Sequence, residues 1–238
     1  MTLQFPRDAA PFIATSRDIL RVNGIEVTTG SNFEEYSAII KAERKVQNLG
    51  APFDPEKFNL KENHAFWLIG RNANGDLIHT QAAKKVPLKG KTLAGHLLTR
   101  FRDFPPPIPG VDFDRSRFRA TPGSHRIEGN VVYHGEVWMA PEEGRYRGSG
   151  LSTVLARTGL FEVMRRWNAD FIYGFMLRQV AFKGFAERMG YMHNEPGALK
   201  WQIAGRDHPI EAFLTYLSQE EARFLLDIPV EDLMSQAA

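Results

Sequence analysis

The sequence has no cysteine among its 238 residues. That absence excludes disulfide bonds, thiolate metal sites and a cysteine nucleophile, and it fits a reducing compartment, so we expect a cytoplasmic protein. We assign no metal ligands. No apolar run approaches the roughly 18 residues of a membrane-spanning helix, and residues 1–12 lack the basic and apolar regions of a signal peptide. We therefore expect neither a membrane partner nor secretion.

Net charge is also nearly absent, at +2, which gives no reason to expect a nucleic-acid partner. The length favours one enlarged domain, 1–238. Basic residues are nevertheless concentrated in one segment, where ten lysines and arginines between Lys84 and Arg126 stand against three aspartates. Such a segment is either a solvated surface or a region that attracts an anionic ligand or partner.

The first half of the chain predicts a strand, a helix and a hairpin. Residues 25–31 form a β-rich run, and Ser31 with Glu34 makes an S-x-x-E capping box that predicts a helix over 32–49. Two further β-rich runs flank "NANGD", whose Asn-Gly is a strong hairpin signal. Residues 88–129 have weak periodicity and include the proline-rich "FPPPIPG", and we interpret them as an insertion.

The second half predicts another strand, a glycine-rich loop, and alternating helices and strands. The strand "NVVYHGEVWMA" alternates, which predicts that His134, Glu136 and Trp138 share one face. After the loop "GRYRGSGLS" the pattern predicts a helix to Trp167, a strand over 170–177, a helix over 178–191 and a strand over 198–204. Residues 208–238 predict a helical extension, with "PIEAFLTYL" and, after an S-x-x-E box at Ser218, "EARFLLDI" as its helices. The order indicates a mixed α/β fold.

Two familiar phosphate loops do not fit "GRYRGSGLS". Glycines at a strand-to-helix turn let backbone N–H groups approach a phosphate closely. A nucleoside-triphosphate loop ends in Gly-Lys followed by Ser or Thr, and that ending is absent here. A dinucleotide loop needs G-x-G-x-x-G, which Gly148, Gly150 and Thr153 match only in part. The acidic partner of such a loop ends its strand, whereas Asp170 begins one.

A third pattern is Gln or Arg, two residues, Gly, one residue, and Gly or Ala. Arg145, Gly148 and Gly150 match every defined position, and a second register that starts at Arg147 matches except for Ser152 at its end. This is the acyl-CoA pyrophosphate loop of the GNAT superfamily of N-acetyltransferases, which the chain resembles over residues 25–203.

The segment "RQVAFKGFAERMGYMHNEP" extends this resemblance. Gln179 stands at the family's usual Asn, Phe185 at its Phe, and Gly190 with Tyr191 at its Gly-Phe. The resemblance implies a GNAT-like fold, with a central mixed, mostly antiparallel sheet flanked by helices, and acetyl-CoA as the acyl donor. The residues that it assigns to acetyl-CoA are Val137, Trp138, Met139, Arg145, Tyr146, Arg147, Gly148, Ser149, Gly150, Leu151, Ser152 and Gln179.

Two residues compete for the role of general base, which the amine needs because only a neutral amine attacks the thioester. Counting back from Arg145 places His134 where the resemblance implies a catalytic carboxylate, but the two loop registers leave Glu136 equally open. The sequence departs from the family pattern at the general acid, because Ala186 occupies the position at which many family members have a tyrosine. A CoA-binding module without catalysis is therefore an alternative.

The resemblance implies an N-acetyltransferase that acts on a primary amine of a small or amino-acid-like molecule. Its relatives that make acyl-homoserine lactones and N-acyl amino acids supply the alternative, a longer acyl chain delivered by an acidic acyl-carrier protein that would suit the basic segment. The insertion at 88–129 either lines the acceptor pocket or covers the sheet edge. A homodimer is compatible with the sequence.

Overall fold

The computed structural model of the chain describes residues 9–44, 47–141, 146 and 149–235. Eight strands form one sheet. The strands are β1 Ile25–Gly30, β2 Ala65–Asn72, β3 Leu77–Val86, β4 Val111–Phe118, β5 Val131–Met139, β6 Phe171–Leu177, β7 His193–Ile203 and β8 Ile210–Ser218. The helices are α1 Ala10–Val22, α2 Phe33–Glu43, α3 Leu93–Arg100, α4 Leu151–Trp167, α5 Arg178–Ala181, α6 Phe185–Met189, α7 Gln219–Leu225 and α8 Val230–Ser235.

The sheet runs in the order β1-β2-β3-β5-β6-β8-β7-β4. Six of its neighbouring pairs are antiparallel, and only β5 and β6 run parallel. This arrangement confirms the predicted mixed, mostly antiparallel sheet. The predicted hairpin is also confirmed, since β2 and β3 pair across the Asn-Gly turn.

Helices cover both faces of the sheet, and each face has its own apolar cluster. On one face α4 packs with α1, α6, α7 and α8, and it is buried along most of its length. On the other face α2 and α3 pack against aromatic residues of the central strands. A ligand that passes through the sheet would therefore contact one apolar cluster on the α4 face and a different one on the α2 face.

The helix predicted over 32–49 is shorter and starts one residue later. Asn32 is the N-cap of α2, and its side chain accepts a hydrogen bond from the Glu35 backbone N–H at 3.1 Å. The predicted box at Ser31 and Glu34 is therefore wrong, because the neighbouring asparagine supplies the cap. The box at Ser218 is confirmed as the start of α7.

The segment "PIEAFLTYL" is not a helix, and the predicted helical extension over 208–238 is wrong in its first part. This segment lies in β8, a central strand between β6 and β7. Leu214 and Tyr216 pack on the α2 face, while Phe213 and Leu217 pack on the α4 face. A strand that is buried on both faces gives a continuous apolar run, which periodicity does not distinguish from a buried helix.

Three other segments also differ from the sequence pattern. The predicted helix over 178–191 is divided into the short helices α5 and α6. The N-terminal helix α1 was not predicted. The insertion at 88–129 contributes α3, but it also contributes β4, which extends the sheet beyond β7. The register of β4 shifts between Asp112 and Arg117, and the backbone N–H of Gln202 donates to the Ser116 hydroxyl at 2.9 Å.

Candidate active site

The parallel strands β5 and β6 separate after three residue pairs. Val131, Val132 and Tyr133 pair with Phe171, Ile172 and Tyr173. Beyond that point β5 stays paired with β3, and β6 stays paired with β8 as far as Leu177. Among the described residues no strand fills the space between them, so the backbone groups that face this space have no strand partner.

A cavity of about 450 Å³ occupies this opening. Residues 134–137 of β5 and 174–177 of β6 form its two sides. Met189 and Tyr191 line it on the α4 face, whereas Phe104, Tyr133 and Trp201 line it on the α2 face. The cavity therefore reaches both faces of the sheet, and its α2 side is rich in aromatic rings.

A β-bulge in β5 separates the two candidate bases. Ala82 pairs with Gly135 and Thr80 with Trp138, so one residue of β3 stands opposite two residues of β5. Glu136 has a φ of 58°, and its backbone carbonyl accepts a hydrogen bond from the Thr80 hydroxyl at 2.8 Å. The predicted shared face of His134 and Glu136 is therefore wrong, because the bulge breaks the alternation and turns the two side chains to opposite faces.

Glu136 lies on the α2 face in a buried ion pair with Arg44. The Arg44 Nη2 donates to Glu136 Oε2 at 2.6 Å, and the backbone N–H of Gly50 donates to Oε1 at 2.8 Å. Their side chains are 0% and 6% exposed, respectively. Arg44 also donates to the backbone carbonyls of Gln47 and Asn48, so this one carboxylate links Arg44 and residues 47–50 to the bulge.

His134 lies on the α4 face in a polar chain whose direction can be deduced. The side-chain amide of Gln81 donates to the backbone carbonyl of Leu155 at 2.7 Å, so its Oε1 is the atom 2.9 Å from His134 Nε2. Since Oε1 only accepts, Nε2 carries the proton and Nδ1 accepts. The partner of Nδ1 is the Tyr191 hydroxyl at 2.9 Å, which therefore donates its only proton to His134.

Burial shifts the titration of both members of this pair. It lowers the pKa of His134 to about 4, so the imidazole is neutral at physiological pH. Burial, followed by the effect of Tyr133, raises the pKa of Tyr191 above its ordinary value, so the phenol stays protonated. The neutral hydrogen-bonded pair is the stable form.

Gly174 brings the Tyr191 oxygen next to the opening. A Cβ at this position would lie 3.0 Å from the Tyr191 oxygen and 2.8 Å from the backbone oxygen of His134. Any larger residue would push into the edge where the strands part. The Thr215 hydroxyl also hydrogen-bonds with Tyr191. Because its own proton is donated to His134, the Tyr191 oxygen keeps a lone pair that can accept a hydrogen bond from a ligand.

Among the predicted acetyl-CoA residues, Val137 lines the opening. Val137, Trp138 and Met139 follow the bulge on β5, half-buried, and Gln179 is exposed on α5. Tyr146 and Leu151 are buried, and the Ser149 hydroxyl donates to the Tyr146 carbonyl. Arg145, Arg147 and Gly148 lie outside the described residues. Gly150 is the N-cap of α4, and within the described residues no group accepts from the backbone N–H of Leu151 or Ser152.

Several residues at this site escaped the sequence analysis. Arg44, Gln81 and the Tyr191 hydroxyl become significant only through contacts with distant elements, and no local pattern marks them. The position at which the resemblance expected a tyrosine is Ala186, which is fully buried on α6. The only signal that pointed to Tyr191 was its place in the element that carries the resemblance.

Comparisons with known proteins give the following. A scan against protein-family models finds no match, and no curated protein matches the sequence. Similar solved structures include Arabidopsis thaliana NAA60 in complex with acetyl-CoA, at 16% identity over 82% of this chain and 98% of that chain, with a TM-score of 0.43. An N-acetyltransferase from Staphylococcus aureus Mu50 is 11% identical over 82% of this chain and 98% of that chain, with a TM-score of 0.44. The spermidine/spermine N-acetyltransferase SpeG of Vibrio cholerae, in complex with manganese ions, is 11% identical over 83% of this chain and 94% of that chain, with a TM-score of 0.44.

Two of these three proteins are N-acetyltransferases. Within the described residues, no helix is long and apolar enough to cross a membrane. In the same part of the chain, no three His, Asp or Glu side chains lie close enough together to hold a metal ion.

Proposed function

We propose that this chain is a GNAT-type acyltransferase that transfers the acetyl group of acetyl-CoA to a primary amine. The observation that carries the proposal is the opening between β5 and β6, a gap with an unpaired strand edge on each side. An extended amide chain such as pantetheine can take the place of the missing strand and pair with the backbone of residues 137–139.

The N-terminus of α4 suits the pyrophosphate of the donor. The N–H groups of Leu151 and Ser152, which have no acceptor among the described residues, are suitable donors for phosphate oxygens, and the positive end of the helix dipole adds to the attraction. This assignment uses the cofactor residues of both loop registers, including Arg145 and Arg147. It does not depend on which register is correct.

The acceptor amine enters the opening as a neutral nucleophile. Its nitrogen attacks the thioester carbonyl carbon, the C–N bond forms, and the C–S bond breaks with its electron pair on sulfur. The Tyr191 oxygen accepts the proton from nitrogen while its own proton moves to His134 Nδ1. The reverse movement then delivers the proton to the CoA thiolate, so that CoA leaves as a thiol.

A histidine with a pKa of about 4 suits this relay better than it suits storage of a proton. Because burial disfavours the imidazolium, His134 returns the proton readily once the thiolate has formed. We assign Glu136 a supporting role, since its carboxylate oxygens are already bound by Arg44 and Gly50. Direct proton acceptance by Glu136 is the competing mechanism.

Two substitutions of one serine test the donor site. Ser152→Asp adds a negative charge at the proposed pyrophosphate position, and we expect acetyl-CoA binding to weaken by about tenfold or more. The same charge at a helix N-terminus should slightly stabilise the unliganded protein. Ser152→Asn is the control, because asparagine has nearly the same shape as aspartate but carries no charge. Isothermal titration with acetyl-CoA and thermal unfolding measure the two effects.

Failure of the wild-type protein to bind acetyl-CoA or CoA at millimolar concentration would refute the proposed function. Equal affinity in the wild type and the Ser152→Asp variant would refute the position of the pyrophosphate. Binding without thiol release across a broad amine panel would favour a CoA-binding module without catalysis.

The aromatic α2 side of the cavity favours a second candidate, transfer of an acyl chain longer than acetyl. Phe104, Phe175 and Trp201 offer an apolar wall that an acetyl group would leave uncovered. We expect hexanoyl-CoA to raise the thermal midpoint more than acetyl-CoA does at equal concentration, if this wall binds the acyl chain. A panel of acetyl-, hexanoyl- and palmitoyl-CoA measures the preference, and equal shifts would remove the candidate.

A further inference from the structure

A second cavity, of about 480 Å³, lies outside the opening between β5 and β6. The end of β3, the turn that follows it, α3 and the loop at 58–64 form its walls. Val86, Leu88 and Phe104 give it a buried apolar floor. Phe104 lines both cavities, so the two share a wall.

Positive charge surrounds this second cavity. Lys84, Lys89, Lys91 and Arg100 line it, and Asp103 is its only carboxylate among the described residues. Asp103 already pairs with Arg100 at 2.9 Å. Within the same residues, none of the three lysines has a carboxylate within 4.0 Å, so the cavity holds cations without counter-ions.

Lys84 is the most informative of these cations. Its ammonium is half-buried, donates to the backbone carbonyl of Pro52 at 2.6 Å, and lies 3.8 Å from the centre of the Phe58 ring. An ammonium has three N–H donors, so these contacts leave capacity for a ligand. Burial lowers the pKa of Lys84 to about 8, and Asp103 only partly opposes this effect. A bound anion would offset the cost of burying the charge.

The turn that carries Lys89 gives an independent indication. Lys89 and Gly90 have φ values of 52° and 78°, and the Lys91 backbone N–H donates to the Leu88 carbonyl at 3.0 Å. Asparagine or glycine adopts the left-handed conformation at lower cost than lysine does. The chain thus places a lysine at the edge of the cavity in a conformation that other residues would adopt more easily.

From this geometry we propose that the cavity is a second binding site, which takes a small anion with phosphate or carboxylate groups. Its ligand is held by Lys84, Lys89 and Lys91 over the apolar floor. The anionic group belongs either to a separate small molecule or to an acceptor amine that reaches across Phe104 from the proposed active site. The second of these sources rests on the proposed function, and the first does not.

Titration of the protein with inorganic pyrophosphate at low ionic strength tests the site. We expect Lys84→Met/Lys91→Gln to weaken binding by at least about tenfold, since both lysines contact the ligand. Lys41→Gln/Arg206→Gln removes the same charge from exposed positions elsewhere and should leave binding nearly unchanged. Equal weakening in both double variants would mean diffuse attraction and would overturn the proposal. Complete competition by CoA would also overturn it.

Proton uptake supplies a signature that a surface lysine would lack. Because burial lowers the pKa of Lys84 to about 8, anion binding near that pH should take up a fraction of a proton. The other ionisable residues that line the cavity are His64, His96, Lys85, Lys89, Lys91, Arg100 and Asp103. Burial lowers the pKa of His96, which leaves it neutral at pH 8. Calorimetry in buffers of different ionisation enthalpy measures the uptake, and uptake that persists in Lys84→Met would contradict the assignment.

Lys89→Asn separates the two consequences of the strained turn. It should raise the thermal midpoint, because asparagine tolerates the positive φ, while it weakens pyrophosphate binding several-fold. Unchanged binding would remove Lys89 from the site.

Comparison of ethanolamine with phosphoethanolamine as acyl acceptors distinguishes the two sources of the anionic group. A preference for phosphoethanolamine that disappears in Lys84→Met/Lys91→Gln identifies the acceptor's own phosphate, and pyrophosphate binding without such a preference identifies a separate ligand.

Discussion

Tyr191→Phe is expected to lower kcat for acyl transfer by about 100-fold or more, the usual effect of removing a positioned proton-transfer group. The substitution deletes the oxygen that accepts the amine proton and leaves His134 Nδ1 without its donor. The ring and the apolar contacts stay in place. Affinity for acetyl-CoA should therefore change by no more than about twofold, so the loss should be in kcat rather than in donor binding.

Tyr173→Phe is the matched control for this experiment. Tyr173 is also fully buried near the point where the strands separate, but its hydroxyl has no hydrogen-bond partner among the described residues. Its removal should leave turnover unchanged. If Tyr191→Phe retains turnover while Glu136→Gln loses it with acetyl-CoA binding intact, the carboxylate is the base and the relay is wrong.

The second large effect concerns stability. Glu136→Ala should reduce the free energy of unfolding by about 3–5 kcal/mol, because it leaves the Arg44 guanidinium buried without a counter-ion. The Arg44 side chain is fully buried in this pair, so its charge is poorly hydrated once the carboxylate is gone. Chemical denaturation at neutral pH measures the loss.

Two comparisons make this prediction specific. Arg44→Met/Glu136→Ala removes both charges, and we expect it to cost less than the sum of the single substitutions. Glu43→Gln breaks the Arg71–Glu43 pair, which has similar contact distances but side chains about one-third exposed, and should cost no more than about 1 kcal/mol. Equal costs for Glu136→Ala and Glu43→Gln would show that burial of the Arg44 pair is energetically unimportant.

Local sequence signals predicted most of the sheet. The strand before the glycine loop, the hairpin at the Asn-Gly turn and the cap at Ser218 depend on neighbouring residues, so they could be deduced without tertiary information. The segment that forms β8 could not be deduced in this way, because burial on both faces removes the two-residue period. Asn32 displaced Ser31 as the helix cap because both residues are good caps and the sequence does not choose between them.

The candidate site was predicted as a region rather than as a mechanism. Motif spacing pointed to the strand that lines the opening, but the two loop registers left both His134 and Glu136 open. The bulge at Glu136 abolishes the face that the alternation predicts they share. A bulge adds one residue against the partner strand, and nothing in the pattern of β5 alone reports it. The chain from Gln81 through His134 to Tyr191 joins three separate elements, so only the folded structure brings these residues together.

The insertion strand β4 also has a consequence for self-association. As the last strand of the sheet it presents an unpaired edge, the kind of surface on which a second chain can add a strand. Its irregular register and the exposed charges of Asp114, Arg115 and Arg117 make that edge a poor template. Growth of the sheet from one molecule into the next is therefore disfavoured at β4, and a dimer would have to use another surface.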